Sequence, residues 1–367
     1  MKKHILTNFM AYETPHLAPQ REATAWLAEY QNATDLKRYE KYTVKPEHIH
    51  TRALYAKGVV GIPFEGEPLY RLDSAEQPIL SVRSQQAQEK ISEIFSYLYE
   101  KELDVPDHLN HISCTHYQSP SAAQMLVSQN KEFRKTVVTH LYHMGCYAAL
   151  PAIRVAKSYL SDGASSVDNV HTELCSFHLD RTNLSAEQTI MNTLFADGAI
   201  KYSIKNDASF AASKAPGLEI LSQHEEILPN SENEMTWKLS ENNFVMRLTK
   251  KVPVMLAKEV RNFMNLLADR AGIDFEREKE NMIFAIHPGG PKIIDLVAKV
   301  LELREDQIES SRHILYTRGN MSSATIPHIW NHILADSSNV TGKKVATVAF
   351  GPGLTITGAM LNICRPS

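Results

Sequence analysis

The strongest constraint on the fold is an order of elements that occurs twice. In the first half an apolar, β-branched run, Thr136 to Met144, reads as a buried strand, meets the turn at Gly145-Cys146 and passes into a helical pattern from Tyr147 to Leu160. In the second half the strand Met282 to Ile286 meets His287-Pro288-Gly289-Gly290 and then an amphipathic helix from Pro291 to Leu303, with apolar residues at Ile293, Ile294, Leu296, Val297, Val300 and Leu301. Residue identity between the halves is negligible, so the repeat is one of organisation. Two such units, each with a reactive type of side chain where strand gives way to helix, predict a duplicated α/β core with its site between the halves. The expected division is 1–212, carrying Cys146, and 213–367, carrying His287 and Asn320.

Other segments fit around this core. Helical patterns cover Glu22 to Tyr42 and Ser84 to Glu102, Ile112-Ser113-Cys114 reads as a strand end, and Leu194 to Ala199 reads as a turn entering the strand Ile200 to Ile204. The chain closes on Val345 to Phe350, the turn Gly351-Pro352-Gly353, and Leu354 to Cys364. No Pro- or Ser-rich linker divides it, and 367 residues at 43% hydrophobic composition suffice for a large core. A net charge of −3 with mixed signs argues against nucleic acid and anionic membranes as partners. The N-terminus has no signal-peptide apolar region, and no run approaches the roughly 20 apolar residues of a membrane span, so a cytoplasmic protein is expected. Cys114, Cys146, Cys175 and Cys364 have no paired or metal-ligand spacing, which predicts free thiols and no metal.

Three residues stand out chemically. Gly145 relieves crowding before Cys146, and a following helix would aim unpaired N–H groups and a positive dipole end at the thiol, an environment that lowers a cysteine pKa. The plain alternative is a structural cysteine. Pro151 is awkward in that helix, since an interior proline removes a hydrogen bond. His287, on its Pro-Gly-Gly turn, is open to a substrate oxygen or to the thiol proton, though a hydrogen-bonded turn histidine would look alike. Asn320, in Gly319-Asn320-Met321-Ser322-Ser323-Ala324 and 33 residues beyond His287, precedes another apolar helix and reads as an N-cap or as a second fixed donor. Two neutral donors beside a thiol suit stabilisation of an enolate formed by loss of CO2.

Taken together, Gly145-Cys146, His287-Pro288-Gly289-Gly290-Pro291, Gly319 to Ala324, and Gly351-Pro352-Gly353-Leu354-Thr355 resemble the chalcone synthase (type III polyketide synthase) family in identity, order and spacing. Arg154 to Lys157, Glu173, and Leu194 to Ala199 are weaker echoes, and the likeness runs from about Ile112 to the C-terminus. The resemblance implies the thiolase fold, a five-layered αβαβα duplication, as a homodimer and in a bacterial member. It also implies a ping-pong cycle without a bound cofactor. An acyl or aroyl group from acyl-CoA, or from a carrier protein, loads Cys146; malonyl-CoA, or a malonyl carrier thioester, is decarboxylated with help from His287 and Asn320; and the enolate attacks the Cys146 thioester.

By approximate alignment Leu218 and Met246 take the places of two gating phenylalanines, Trp237 that of a cavity glycine, and Cys175 and His178 those of two cavity threonines, with Gly351, Pro352 and Gly353 also beside the substrate. Larger side chains remove volume, so few extensions are expected. Lys37, Arg38, Lys41, Lys45 and Arg52 lie where the family grips coenzyme A phosphates, without a clear register. The competing readings are a ketosynthase that joins the Cys146 acyl group to a preformed β-ketoacyl thioester, giving a pyrone or resorcinol-type product, and a non-catalytic partner of another ketosynthase.

Overall fold

The structure is a computed structural model that describes residues 3–13, 17–61, 66–100, 104–213 and 215–366; the side chain of Arg38 also lies outside the described set. Among the described residues, thirteen strands follow in chain order. The first half supplies β1 (His4–Ala11), β2 (Leu17–Pro19), β3 (Thr51–Ala53), β4 (His108–Ser113), β5 (Val137–Tyr142), β6 (Ser166–Leu174) and β7 (Asp197–Asn206). The second supplies β8 (Gly217–Ile227), β9 (Met235–Leu239), β10 (Phe244–Leu248), β11 (Ile283–Ile286), β12 (Lys344–Gly351) and β13 (Thr355–Cys364).

Nine of them hydrogen-bond in the order β5-β4-β6-β7-β1-β8-β13-β12-β11. The two sides of β1/β8 mirror each other. β4–β6 and β11–β12 are parallel pairs, whereas β6–β7, β12–β13, β7–β1 and β13–β8 are antiparallel. Within this sheet β1 and β8 join the halves at Ile5↔Glu219 and Leu6↔Leu218. The duplication read from the order of elements is therefore present in the pairing itself.

Packing arranges these half-sheets in five layers, the thiolase fold. Along each strand alternate residues point to opposite faces. Thus Ile200, Tyr202 and Ile204 of β7 and Ala285, Val345, Ala359 and Leu361 of the second half all enter one central core, with the helices Ala149–Ser161 and Thr325–Ala335 between them. Ala199 and Val170 face the outer helices Gln20–Tyr30 and Leu80–Tyr99, while Phe284, Ala346 and Val348 face Val252–Asp269 and Pro291–Leu301. No helix among the described residues is long and apolar enough to cross a membrane.

Local expectations fare unevenly. The first helical stretch breaks in two, Gln20–Tyr30 and Leu36–Tyr42, and Asn32 between them has a left-handed φ of 51°. The second runs Leu80–Tyr99, and Glu102 lies outside the described residues. The strand at 136–144 exists as β5 but is not buried. It is an end strand paired only to β4, and Val137 is 51% exposed. Pro151 proves harmless, because its helix begins at Ala149 and the first turn has N–H groups with no intrahelical partner anyway.

Trp330 shows how tightly the central layer is filled. It is fully buried, meets Tyr202 edge-on with ring centroids 5.9 Å apart, and donates its indole N–H to Thr347 Oγ1 at 2.9 Å. Replacing Trp330 with Ala should cost about 3–5 kcal/mol, as for other large-to-small core changes. Urea unfolding followed by far-UV circular dichroism would measure it, and a loss under 1 kcal/mol would mean the layer collapses around the void.

Candidate active site

Cys146 lies in the connection between β5 and the helix Ala149–Ser161. Two residues in left-handed conformation, His143 (φ 60°) and Gly145 (φ 93°), turn the chain there. At Gly145 the glycine is required twice over, since a Cβ would also sit 2.4 Å from Pro352 Cδ. Gly351 likewise leaves room for the Tyr147 ring, which a Cβ would meet at 2.2 Å. The loop Gly351-Pro352-Gly353, between β12 and β13, thereby closes against both neighbours of the thiol. This contact brings the C-terminal half onto the N-terminal half.

Asn320 reaches the same place from the other side. Its backbone N–H donates to Leu194 O at 3.1 Å, and its carbonyl accepts from Ala196 N at 2.8 Å, so the Leu194 to Ala196 turn fixes it as a short bridge. Its side chain does not cap the helix Thr325–Ala335, which starts after Ala324 with no side-chain cap; Oδ1 accepts from Ser322 N at 2.9 Å in a local turn, and Nδ2 is buried with no hydrogen-bond partner among the described residues. Ser322 then directs its hydroxyl to Cys146 Sγ at 3.7 Å. His287 ends β11, anchored by its N–H to Val348 O at 2.9 Å on the strand that leads to the Gly351 loop. Both of its ring nitrogens are buried and unpartnered. Exposure is 6% at Cys146, 1% at His287 and 0% at Asn320.

A carboxylate absent from the expected trio holds this arrangement. Glu173, at the end of β6, accepts from Cys114 N at 3.1 Å, from Thr115 Oγ1 at 3.0 Å and from Ser323 Oγ. His171 Nδ1 also lies 2.9 Å from Ser323 Oγ. Glu173 thus ties the end of β4 to the segment bearing Asn320. Burial raises its pKa to about 7, against the pull of those donors.

Electrostatics reverse one expectation. Burial pushes the Cys146 thiol up to about 12, opposed by the Ser322 hydroxyl, so the helix terminus does not make it a resting thiolate. Burial also lowers His287 to about 3, which keeps the imidazole neutral. Burial thus favours the neutral form of both the Cys146 thiol and the His287 imidazole. Both nitrogens of His287 and the Asn320 amide are then available for a substrate oxygen or a proton.

The cavity at Cys146 has a volume of about 640 Å³ counting its open mouth. Of the residues proposed for its wall, Cys175, His178, Trp237, Met246 and Pro352 line it. Gly351, Gly353, His287 and Asn320 are not among the lining residues, Gly351 packing instead on the Tyr147 ring. Leu218 is a correction: it pairs with Leu6 across the β1/β8 junction and is fully buried in the central core. The aromatic wall comes instead from Phe195, next to Asn320, and from Phe244 on β10. Trp237 and His178 are held in place, the first by donating its indole N–H to Cys114 O at 2.7 Å, the second by bonding Thr115 O at 2.6 Å and Phe244 N at 3.1 Å. Arg52 is a second correction. It is buried and donates to Gln20 Oε1 and to the carbonyls of Asn192 and Phe195, so it supports the turn at Asn320 and is unavailable to a phosphate.

Comparison with solved structures agrees with this architecture. PKS-I from the brown alga Ectocarpus siliculosus superposes with a TM-score of 0.89 over 99% of each chain at 21% identity. The tetrahydroxynaphthalene synthase of Streptomyces coelicolor A3(2), a bacterial type III polyketide synthase, gives 0.79 over 99% of each chain at 19% identity. The chain thus has the thiolase fold of these proteins. More particularly, residues 219–364 match the family model of the chalcone and stilbene synthases, C-terminal domain. Type III polyketide synthase 21 of Oryza sativa subsp. japonica is 27% identical over 69% of this chain and 65% of its own length. For type III polyketide synthase A of Arabidopsis thaliana the figures are 28%, 60% and 56%. The matched stretches therefore span less than two thirds of these relatives. Plants and algae stand beside Streptomyces among them, so the likeness does not single out bacteria.

The raised thiol pKa has a measurable consequence. Alkylation of Cys146 by iodoacetamide, read by peptide mass spectrometry, should rise about tenfold per pH unit from pH 7 to 9, because the thiolate fraction follows pH below the pKa. A rate that levels off below pH 8 would instead reveal a stabilised thiolate.

Proposed function

We propose that the chain is a decarboxylating condensing enzyme of the type III polyketide synthase kind, acting on coenzyme A thioesters. The observation that carries this reading is the buried Cys146 thiol, approached by Ser322 beside Asn320, together with buried polar groups of His287 and Asn320 that have no hydrogen-bond partner among the described residues. Unsatisfied buried polar groups cost free energy, so their retention here points to a ligand that completes them. A thioester oxygen that gains charge is such a ligand.

The cycle runs as follows. The Cys146 sulfur attacks an acyl-CoA carbonyl while a nitrogen of neutral His287 takes the thiol proton, and coenzyme A departs with a proton. Malonyl-CoA then loses CO2, and the enolate oxygen receives hydrogen bonds from His287 and Asn320. The enolate carbon attacks the Cys146 thioester, a C–C bond forms, and the sulfur leaves as a thiolate that takes a proton from solvent to restore the thiol. No group but the substrates needs a permanent charge. Replacing Asn320 with Ala should lower malonyl-CoA decarboxylation about 10²–10³-fold while acylation of Cys146 persists, as removal of one oxyanion donor does elsewhere. Release of labelled CO2 and intact mass would give the two readouts, and undiminished decarboxylation would remove Asn320 from the role.

Two finer points belong to the same reading. The fixed ring of Trp237, packed edge-on against His178 and Phe244, supports one or few extensions by limiting the chamber. Trp237→Gly should therefore lengthen the main product by at least one malonyl unit, measured by liquid chromatography and mass spectrometry with an acyl-CoA starter. An unchanged product length would show that another wall sets the limit. The half-exposed β5, with one edge beyond its pairing to β4, supports a homodimer in which two copies of this strand meet. We place the division between the halves at 212/213, in the connection that leads to β8.

A further inference from the structure

We propose that Glu309, His313 and His332 form a binding site for a divalent transition ion of the zinc class. Glu309 and His313 are four residues apart on the helix Glu305–Arg318, which puts them on one face, one turn apart. His332 comes from the last turn of the neighbouring helix Thr325–Ala335. The imidazole rings of His313 and His332 stack with centroids 4.2 Å apart and planes 9° from parallel. Glu309 faces both: Oε1 lies 3.9 Å from His313 Nδ1, and Oε2 lies 3.5 Å from His332 Nε2.

One ligand atom from each residue lies within 4.8 Å of the other two. A tetrahedral zinc ion with bonds of about 2.0–2.2 Å needs its ligand atoms about 3.3 Å apart, a gap that small side-chain rotations close. Neither ring makes a hydrogen bond to another residue among the described ones, so an ion displaces nothing. Side-chain exposures of 59% at Glu309, 42% at His313 and 30% at His332 leave the site open to solution and a fourth position open to water. Arg318, the cation that acts on His313, is paired with Glu13 at 3.1 Å.

The two helices bracket the segment Gly319 to Ala324, which carries Asn320 and Ser322. An ion bridging them would clamp that segment from outside, a stabilising role apart from the chemistry at Cys146. None of the three ligands lines the Cys146 cavity.

The test uses the full chain, stripped of metal by chelator dialysis and with any affinity tag removed. Titration with zinc chloride by calorimetry, and melting with and without zinc, are compared for the native protein, Glu309→Gln, and the double variant His313→Ala/His332→Ala. The expected result is one zinc ion per chain, a higher Tm with zinc, at least tenfold weaker binding in the double variant with loss of its Tm rise, and a smaller weakening in Glu309→Gln. Equal stoichiometry and affinity in the double variant would overturn the site by assigning the ion to the free thiols or elsewhere. Absence of zinc binding to the native protein would overturn it outright.

Discussion

Desolvation is the constraint on which the site depends. The same burial raises the Cys146 thiol and depresses the His287 imidazole, which favours the neutral form of both. In the proposed cycle, removing water would also strengthen the hydrogen bonds from His287 and Asn320, because no solvent competes for them. A more open pocket would relax both pKa values and weaken those donors together.

That dry interior exists because the two halves close on each other at points where side chains are missing. Gly145 and Gly351 admit Pro352 and Tyr147 at distances no Cβ would tolerate. Glu173 and Arg52 then secure the backbone around Asn320, one through Ser323 and the other through the carbonyls of Asn192 and Phe195. Both are buried charged residues whose partners are mostly backbone or hydroxyl groups. They hold the backbone around Asn320 without lining the cavity at Cys146.

The sequence disclosed features whose causes are local. Glycine turns, the Pro291 helix start and the apolar period of the helices depend on neighbours in the chain, and the turns bearing Cys146, His287 and Asn320 occur where they were expected. It misled where the cause is tertiary. The exposure of β5 follows from its rank at the end of the sheet, and the Cys146 pKa follows from distant walls. Alignment gives Leu218 the place of a gating phenylalanine, yet β8 directs it to the central layer. Phe195 was already within a recognised turn; the overlooked signal was a large aromatic beside the backbone that holds Asn320. Arg52, taken for a surface cation, had a partner in Gln20, which no local pattern announces.

Cys146 and Ser322 are 176 residues apart in the chain yet 3.7 Å apart in space. Loop-closure entropy makes such contacts late events in folding, after each half has acquired its own strands and helices. The surroundings of Cys146 are therefore among the last parts to be completed, and neither half alone possesses them. A newly made chain keeps the Cys146 thiol apart from Ser322 and Asn320 until the whole molecule has condensed, so any reactivity proposed for that thiol is coupled to the end of folding.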